Sequence, residues 1–164
     1  MAKIRDVPET LQEDHFARAA KRHFDDAAYV HRDSRLPTAD HLYGFAAECA
    51  VKSLLLRFTD VAMGPSNKPE VAHPEPPDDD PERTLQFGHI NQLVREIKLL
   101  ARGRSGAPLH AALDGDLRVF RGWHVSTRYS DGTYAQAEVV ERRRDAARRI
   151  LTLHEHALLH GKLT

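Results

Sequence analysis

Four polar side chains interrupt an otherwise apolar stretch of the sequence, and they are the first candidates for chemistry. Spacings of 7, 4 and 7 residues separate these side chains, which are His41, Glu48, Lys52 and Thr59. At 3.6 residues per helical turn, this spacing places them on one narrow stripe. A histidine, a carboxylate and an ammonium group on one stripe can bind a polar ligand or exchange protons with it. An intrahelical ion pair between Glu48 and Lys52 is the structural alternative.

Arg128 and Tyr129 form a second candidate pair, in an irregular segment rich in Gly, Asp and aromatic residues, 114–134. A guanidinium group can bind a phosphate as a two-pronged donor, and a phenol can stack or form a hydrogen bond. The alternative is that Arg128 pairs with Glu48 while Tyr129 covers the core. The predicted ligand-binding set combines this pair with the helical stripe: His41, Glu48, Lys52, Arg128 and Tyr129.

Histidines near the end of the chain suggest a metal site. His156 and His160 are four residues apart, so a helix would place both on one face, close to His154 and Glu155. Two histidines at a terminal position make a weak site. We therefore predict no metal and no other cofactor, and we expect these residues at the surface or at a dimer interface.

Helices are expected to position these candidates, because apolar residues recur at helical spacing along most of the chain. The second helix is apolar nearly all round, which is typical of a central helix in a bundle. The sequence thus predicts an all-α fold, an antiparallel up-and-down bundle without strands. Its four long helices are predicted at residues 11–32, 38–60, 89–102 and 135–160, with a short additional helix at 108–113 left open.

Residues 62–82 depart from the helical pattern. This segment holds six prolines and six carboxylates, which exclude helix interiors and bury too little apolar surface to fold independently. We predict a mobile loop here, inserted into a single domain that comprises residues 1–164.

Charge is distributed unevenly along the chain. Residues 1–82 carry 16 acidic and 10 basic side chains, a net charge of −6, whereas residues 83–164 carry 8 and 14, a net charge of +6. Such asymmetry is typical of a phosphate-binding face, but it can also be matched internally or across a dimer. No apolar run is long enough to span a membrane and the N-terminus is too charged for a signal peptide, so we expect a cytoplasmic protein without a membrane partner.

Three local patterns, in the right order, resemble the HEPN superfamily, a group of small helical bundles found in prokaryotic toxins, antiphage systems and nucleotidyltransferase partners. Residues 39–56, ADHLYGFAAECAVKSLLL, are similar to that family's second helix, in which an alanine and a glutamate precede a lysine by about one turn, here Ala47, Glu48 and Lys52. His89 resembles the histidine that leads the family's third helix.

The third pattern is Arg128 with Tyr129 before an alanine-rich last helix, which resembles the family's Arg-Tyr signature. The resemblance covers residues 15–158. The chain departs from the family's pattern in the insertion at residues 62–82 and in the Ser-Asp-Gly sequence after Tyr129, where a proline is frequent.

The resemblance implies a metal-independent ribonuclease chemistry for some members, which use an arginine followed after four to six residues by a histidine. Histidine exchanges a proton near neutral pH while arginine holds the scissile phosphate, and dimerisation brings two motifs together. About four such pairs arise by chance from this composition. Position before the last helix favours Arg118 with His124, although Val119 follows the arginine where a polar residue is typical. The alternative is a solvated Arg118 and a polar loop histidine.

Together, these patterns predict a HEPN-like domain that interacts with RNA or nucleotides, as a ribonuclease or toxin-type component of a bacterial defence system. The alternative is a non-catalytic helical domain that dimerises or binds a separately encoded partner protein. A homodimer is expected in either case, and whether the chain is an enzyme stays open.

Overall fold

The computed structural model describes residues 11–103 and 105–163, most of which are helical. The prediction of a predominantly helical chain is confirmed. Within the described ranges, no helix is both long enough and apolar enough to cross a membrane. The five α-helices are α1 (Gln12–Arg32), α2 (Leu36–Phe58), α3 (Ile90–Leu100), α4 (Ala107–Arg118) and α5 (Ala137–His160). The other elements are a 3₁₀ helix, η1 (Val125–Tyr129), and three strands, β1 (Ala62–Met63), β2 (Pro69–Ala72) and β3 (Thr84–Gln86).

Three of the predicted long helices have the expected length, at 21 residues for α1, 23 for α2 and 24 for α5. The third predicted helix is only 11 residues long, and the short helix left open at residues 108–113 is a 12-residue helix, α4. Two short helices therefore stand where one long helix was expected.

Helix α2 packs against both α1 and α5 and has more buried residues than any other helix of the described ranges. Ser53 donates a hydrogen bond to the Glu13 carbonyl (3.0 Å), and His31 contacts Tyr43, so α1 and α2 run antiparallel. Along α5, Arg143 contacts Asp40 and His154 contacts Ser53 further on, which shows that α2 and α5 run in the same direction.

Residues 62–82 are not a structureless loop, and the prediction of a segment without strands is wrong. An antiparallel sheet with the order β1-β2-β3 forms here, pairing Met63 with Pro69 and Val71 with Leu85. Pro69 begins a strand, where its missing N–H is tolerated, and Leu85 is buried against the core. The longest irregular part is residues 73–83, between β2 and β3, and residues 64–68 form the turn between β1 and β2.

Candidate functional site

The single tryptophan of the chain organises the candidate site. Trp123 is completely buried, and its indole N–H donates a hydrogen bond to the Asp40 carbonyl oxygen (3.1 Å) at the start of α2. Gly44 makes this position possible, because a Cβ atom there would overlap the indole ring. A glycine inside a helix costs about 1 kcal/mol relative to alanine. That cost is offset by the close packing of the indole on α2.

His41 lies directly against this tryptophan. Its imidazole ring stacks on the indole, with ring centroids 5.4 Å apart and planes inclined by 23°, and meets the Phe45 ring edge-on at 4.7 Å. These aromatic contacts fix the ring, so the imidazole is held in one orientation at the protein surface.

His41 and Arg128 line one pocket, as the sequence analysis predicted for two members of its ligand-binding set. The His41 pocket has a volume of about 340 Å³ and lies between the start of α2 and the loop that follows η1. Gly132 in that loop has a φ of +86° and lies so close to Pro37 that a Cβ atom would clash. Hydrogen bonds from Thr133 to Asp131 also hold the loop in place.

Arg128 does not form the ion pair with Glu48 that was the structural alternative. Its guanidinium group lies over the Tyr129 ring, 4.8 Å from the centroid. Among the residues that the structure describes, no carboxylate oxygen is within 4.0 Å of the Arg128 nitrogens. Tyr129 is 79% exposed and does not cover the core. A cationic group and an aromatic face are thus available to a ligand beside the pocket.

The histidines around Phe45 favour the neutral form. Burial lowers the pKa of His41, and the nearby charge of Arg128 lowers it further, while Asp40 acts in the opposite direction. Burial and Arg22 similarly lower the pKa of His23, whose ring lies 5.6 Å from that of Phe45. The Nδ1 atoms of both histidines are buried and have no hydrogen-bond partner among the residues that the structure describes. The neutral imidazole of His41, near Arg128, can accept a proton at neutral pH.

Glu48 and Lys52 have a different role from His41. Glu48 accepts hydrogen bonds from Lys52 (2.7 Å) and from the backbone N–H of Ile90 (3.2 Å), and its second oxygen also lies 3.2 Å from His89 Nδ1. Both carboxylate oxygens are therefore occupied, and the negative charge lies at the N-terminus of α3, where the helix dipole favours it. The structural alternative of an intrahelical pair describes these two residues, and Glu48 in addition links α2 to α3 through Ile90 and His89.

Arg118 and His124 are not brought together within one chain. Arg118 pairs with Asp114 one turn earlier in α4 (2.6 Å), and His124 Nδ1 lies 3.3 Å from the Asn91 side-chain nitrogen. In residues 11–103 and 105–163, no hydrogen bond or ion pair joins the two side chains. The alternative was a solvated Arg118 and a polar loop histidine; Arg118 is exposed but paired with Asp114, and His124 is an exposed residue between α4 and η1.

The sequence analysis did not predict a buried ion pair that lies behind the site. Arg143 Nη1 donates to Asp40 Oδ2 (2.7 Å), and both side chains are less than a tenth exposed. Burial raises the pKa of Asp40, although Arg143 counteracts this shift. The sequence does contain a pattern that indicates a buried Arg143. This residue precedes Ala147, Ile150 and His154 at the helical spacing that defines the inward face of α5.

The sequence analysis also did not predict the position of His23 beside Phe45, because the sequence holds no signal that separates His23 from the other histidines of an amphipathic helix.

Of the three histidines near the end of the chain, His154 is buried, whereas His156 and His160 are exposed. Across the described part of the chain, no three His, Cys, Asp or Glu side chains are grouped so that they could hold a metal ion.

The chain was compared with family models, with curated proteins and with solved structures, and it matches none of them.

Proposed function

We propose that this chain is a HEPN-like helical bundle that binds RNA or a nucleotide at the His41 pocket. Arg128 contacts a phosphate in this proposal, and Tyr129 stacks against a base. The observation that supports this proposal most strongly is the position of Arg128 at the rim of a pocket that contains a neutral histidine, His41. Within the described structure, the Arg128 guanidinium group has no carboxylate partner.

Contacts between the patterns that resemble the HEPN family support the family assignment. Glu48 and Lys52 on α2 pair with each other, and Glu48 also contacts His89, which lies 41 residues away in sequence. The histidine that leads the third helix therefore meets the glutamate of the second helix.

The chemistry of the rim favours a nucleic acid or nucleotide over an uncharged ligand. Guanidinium groups bind phosphate oxygens as a fork, and exposed aromatic rings stack on unpaired bases. Arg128 and Tyr129 provide these two groups side by side.

Ribonuclease activity of the toxin type is an extension of this proposal. His41 is better placed for it than His124, because a neutral imidazole beside an arginine can accept the proton of a ribose hydroxyl while the arginine holds the phosphate. Cleavage would need no metal ion. The dyad of Arg118 and His124 would require groups from another molecule, since each is engaged elsewhere in this chain.

Binding can be tested with a short fluorescent single-stranded RNA at low salt, where phosphate contacts are strongest. We expect Arg128→Ala to weaken binding about tenfold, the value of a lost charge-assisted hydrogen bond. Tyr129→Ala should weaken it about fivefold or more through lost stacking. Arg142→Ala, an exposed arginine on α5, is the matched control. Equal losses for Arg128→Ala and Arg142→Ala would argue against this site.

The observation that favours the alternative function, a non-catalytic domain that dimerises, is a group of exposed leucines. Leu159 is 79% exposed and Leu158 is 39% exposed at the end of α5, and Leu11, 61% exposed, precedes α1 at the same end of the molecule. Sedimentation of the wild type beside a Leu159→Ser variant separates the two functions. A dimer that dissociates in this variant, together with no RNA binding, would favour the alternative.

A further inference from the structure

We propose that a second pocket binds the phosphate or diphosphate group of a small phosphorylated molecule. This site, which we call the Arg148 pocket, is independent of the proposed function at the His41 pocket. It has a volume of about 320 Å³ and is lined by Ala28, His31, Arg32, Tyr43, Arg144 and Arg148. Tyr43 follows His41 by two residues, which is about 200° around the helix axis, so the two pockets lie on opposite sides of α2.

Three arginines from two helices converge on this pocket. Arg32 lies in the last turn of α1, whereas Arg144 and Arg148 are one turn apart on α5. The helix dipole favours a cation at the end of α1 and accounts for Arg32 alone. Arg144 and Arg148 lie in the middle of their helix, so the dipole does not explain why they meet Arg32 here.

The positive charge of the pocket is only partly neutralised. Arg144 pairs with Asp145 (2.9 Å). For Arg32 and Arg148, the described residues place no carboxylate oxygen within 4.0 Å. Their guanidinium groups instead lie 5.8 Å from the centroids of aromatic rings, Arg32 over Tyr29 and Arg148 over Phe24. The three guanidinium groups outnumber the carboxylates that act on them, Asp145 and Glu141, and an anion would balance the remaining positive charge.

Tyr43 adds a fixed hydroxyl group to the inner wall. Its ring is completely buried, and its hydroxyl oxygen lies 3.1 Å from His31 Nδ1. The whole side chain, including the hydroxyl, is buried, so Tyr43 closes the inner wall and positions His31. Burial raises the pKa of Tyr43, so the hydroxyl keeps its proton at neutral pH. The guanidinium groups of Arg32 and Arg148, which line this wall, are donors suited to phosphate oxygens.

The small size and the closed inner wall favour a compact phosphate over a nucleic acid backbone. Nucleic acids that bind without sequence preference follow an extended basic groove, with successive aromatic rings for the bases. The Arg148 pocket is a single depression, and its aromatic wall is buried. RNA is therefore the competing outcome of the test.

The full chain can be titrated calorimetrically with inorganic phosphate and with pyrophosphate at low salt. We expect saturable binding of one anion per chain, tighter for pyrophosphate. Arg148→Gln and Arg32→Gln should each weaken it about tenfold. Arg32 and Arg148 are exposed, so circular dichroism should show that both variants stay folded.

Arg142→Gln is the control, because it removes the same charge from an exposed site on the same helix outside the pocket. Binding within twofold of the wild type in this variant supports the proposal. Three results would overturn it: no saturable binding of either anion, an equal loss in Arg142→Gln, or RNA binding that depends on Arg148 without pyrophosphate binding.

Discussion

At the scale of single residues, His154 shows how the core fixes a histidine in one form. Ser53 uses its hydroxyl proton to donate to the Glu13 carbonyl, so its oxygen must accept from His154 Nε2, 2.9 Å away. The imidazole is therefore the neutral Nε2–H tautomer. Burial, with a smaller effect of Arg57, lowers its pKa to about 4.

This shift predicts a loss of stability in weak acid. The folded pKa lies below the unfolded value, so the stabilisation is complete above about pH 6.5 and is lost as the pH falls towards 4. Between pH 7 and pH 5 the loss attributable to His154 should be about 2 kcal/mol. Urea unfolding at both pH values measures it, and His154→Gln should show a smaller drop. An unchanged drop in the variant would contradict this assignment.

The buried pair of Asp40 and Arg143 predicts strongly coupled effects of substitution. Asp40→Ala leaves the guanidinium group of Arg143 buried without its partner, which should cost about 3–5 kcal/mol in the free energy of unfolding. The double variant, Asp40→Ala with Arg143→Met, removes both charges and should lose less than the sum of the single variants. Denaturant titrations of all four proteins give the coupling energy. Strict additivity would mean that the pair does not interact as the structure indicates.

At the scale of elements, the contact between α2 and Trp123 determines where His41 lies. Gly44→Ala should improve helix propensity by up to about 1 kcal/mol, but its Cβ would displace the indole ring. Overpacking of this kind costs about 1–3 kcal/mol, so we expect net destabilisation. The emission of the single tryptophan should also shift to longer wavelength as its burial is lost.

Gly115 provides the matched control for this substitution. It also lies inside a helix, α4, but a Cβ atom there would meet nothing within 4 Å. Gly115→Ala should therefore keep the wild-type emission and leave stability equal or higher by up to about 1 kcal/mol. Two variants with the same behaviour would show that packing against Trp123 is not what Gly44 provides.

The helices themselves follow from periodicity, and the sheet does not. Apolar spacing predicts α1, α2 and α5 nearly to their ends, because each buries one face or, for α2, nearly its whole circumference. The strands at residues 62–86 are two to four residues long and begin or end at prolines and turns, so no alternating pattern could develop. Pairing between distant short segments depends on tertiary contacts that spacing does not encode.

At the scale of the whole molecule, the structure brings together only part of the predicted ligand-binding set. Helical spacing put His41, Glu48 and Lys52 on one stripe, and the structure keeps only His41 at the pocket that Arg128 also lines. Glu48 instead accepts a hydrogen bond from the backbone N–H of Ile90 at the start of α3, 42 residues further along the chain. Which residues become partners in this way depends on how the helices pack, so a local sequence pattern cannot predict them.

The most direct test of the central claim is to observe the imidazole of His41 during ligand binding. A histidine-detected NMR titration with a short single-stranded RNA, assigned by a His41→Gln variant, reports on this ring and on the remote, exposed rings of His156 and His160. We expect the His41 resonances to shift saturably at the concentration where anisotropy shows binding, while the two remote histidines stay unchanged. RNA binding that leaves the His41 resonances in place would contradict a ligand site at this pocket.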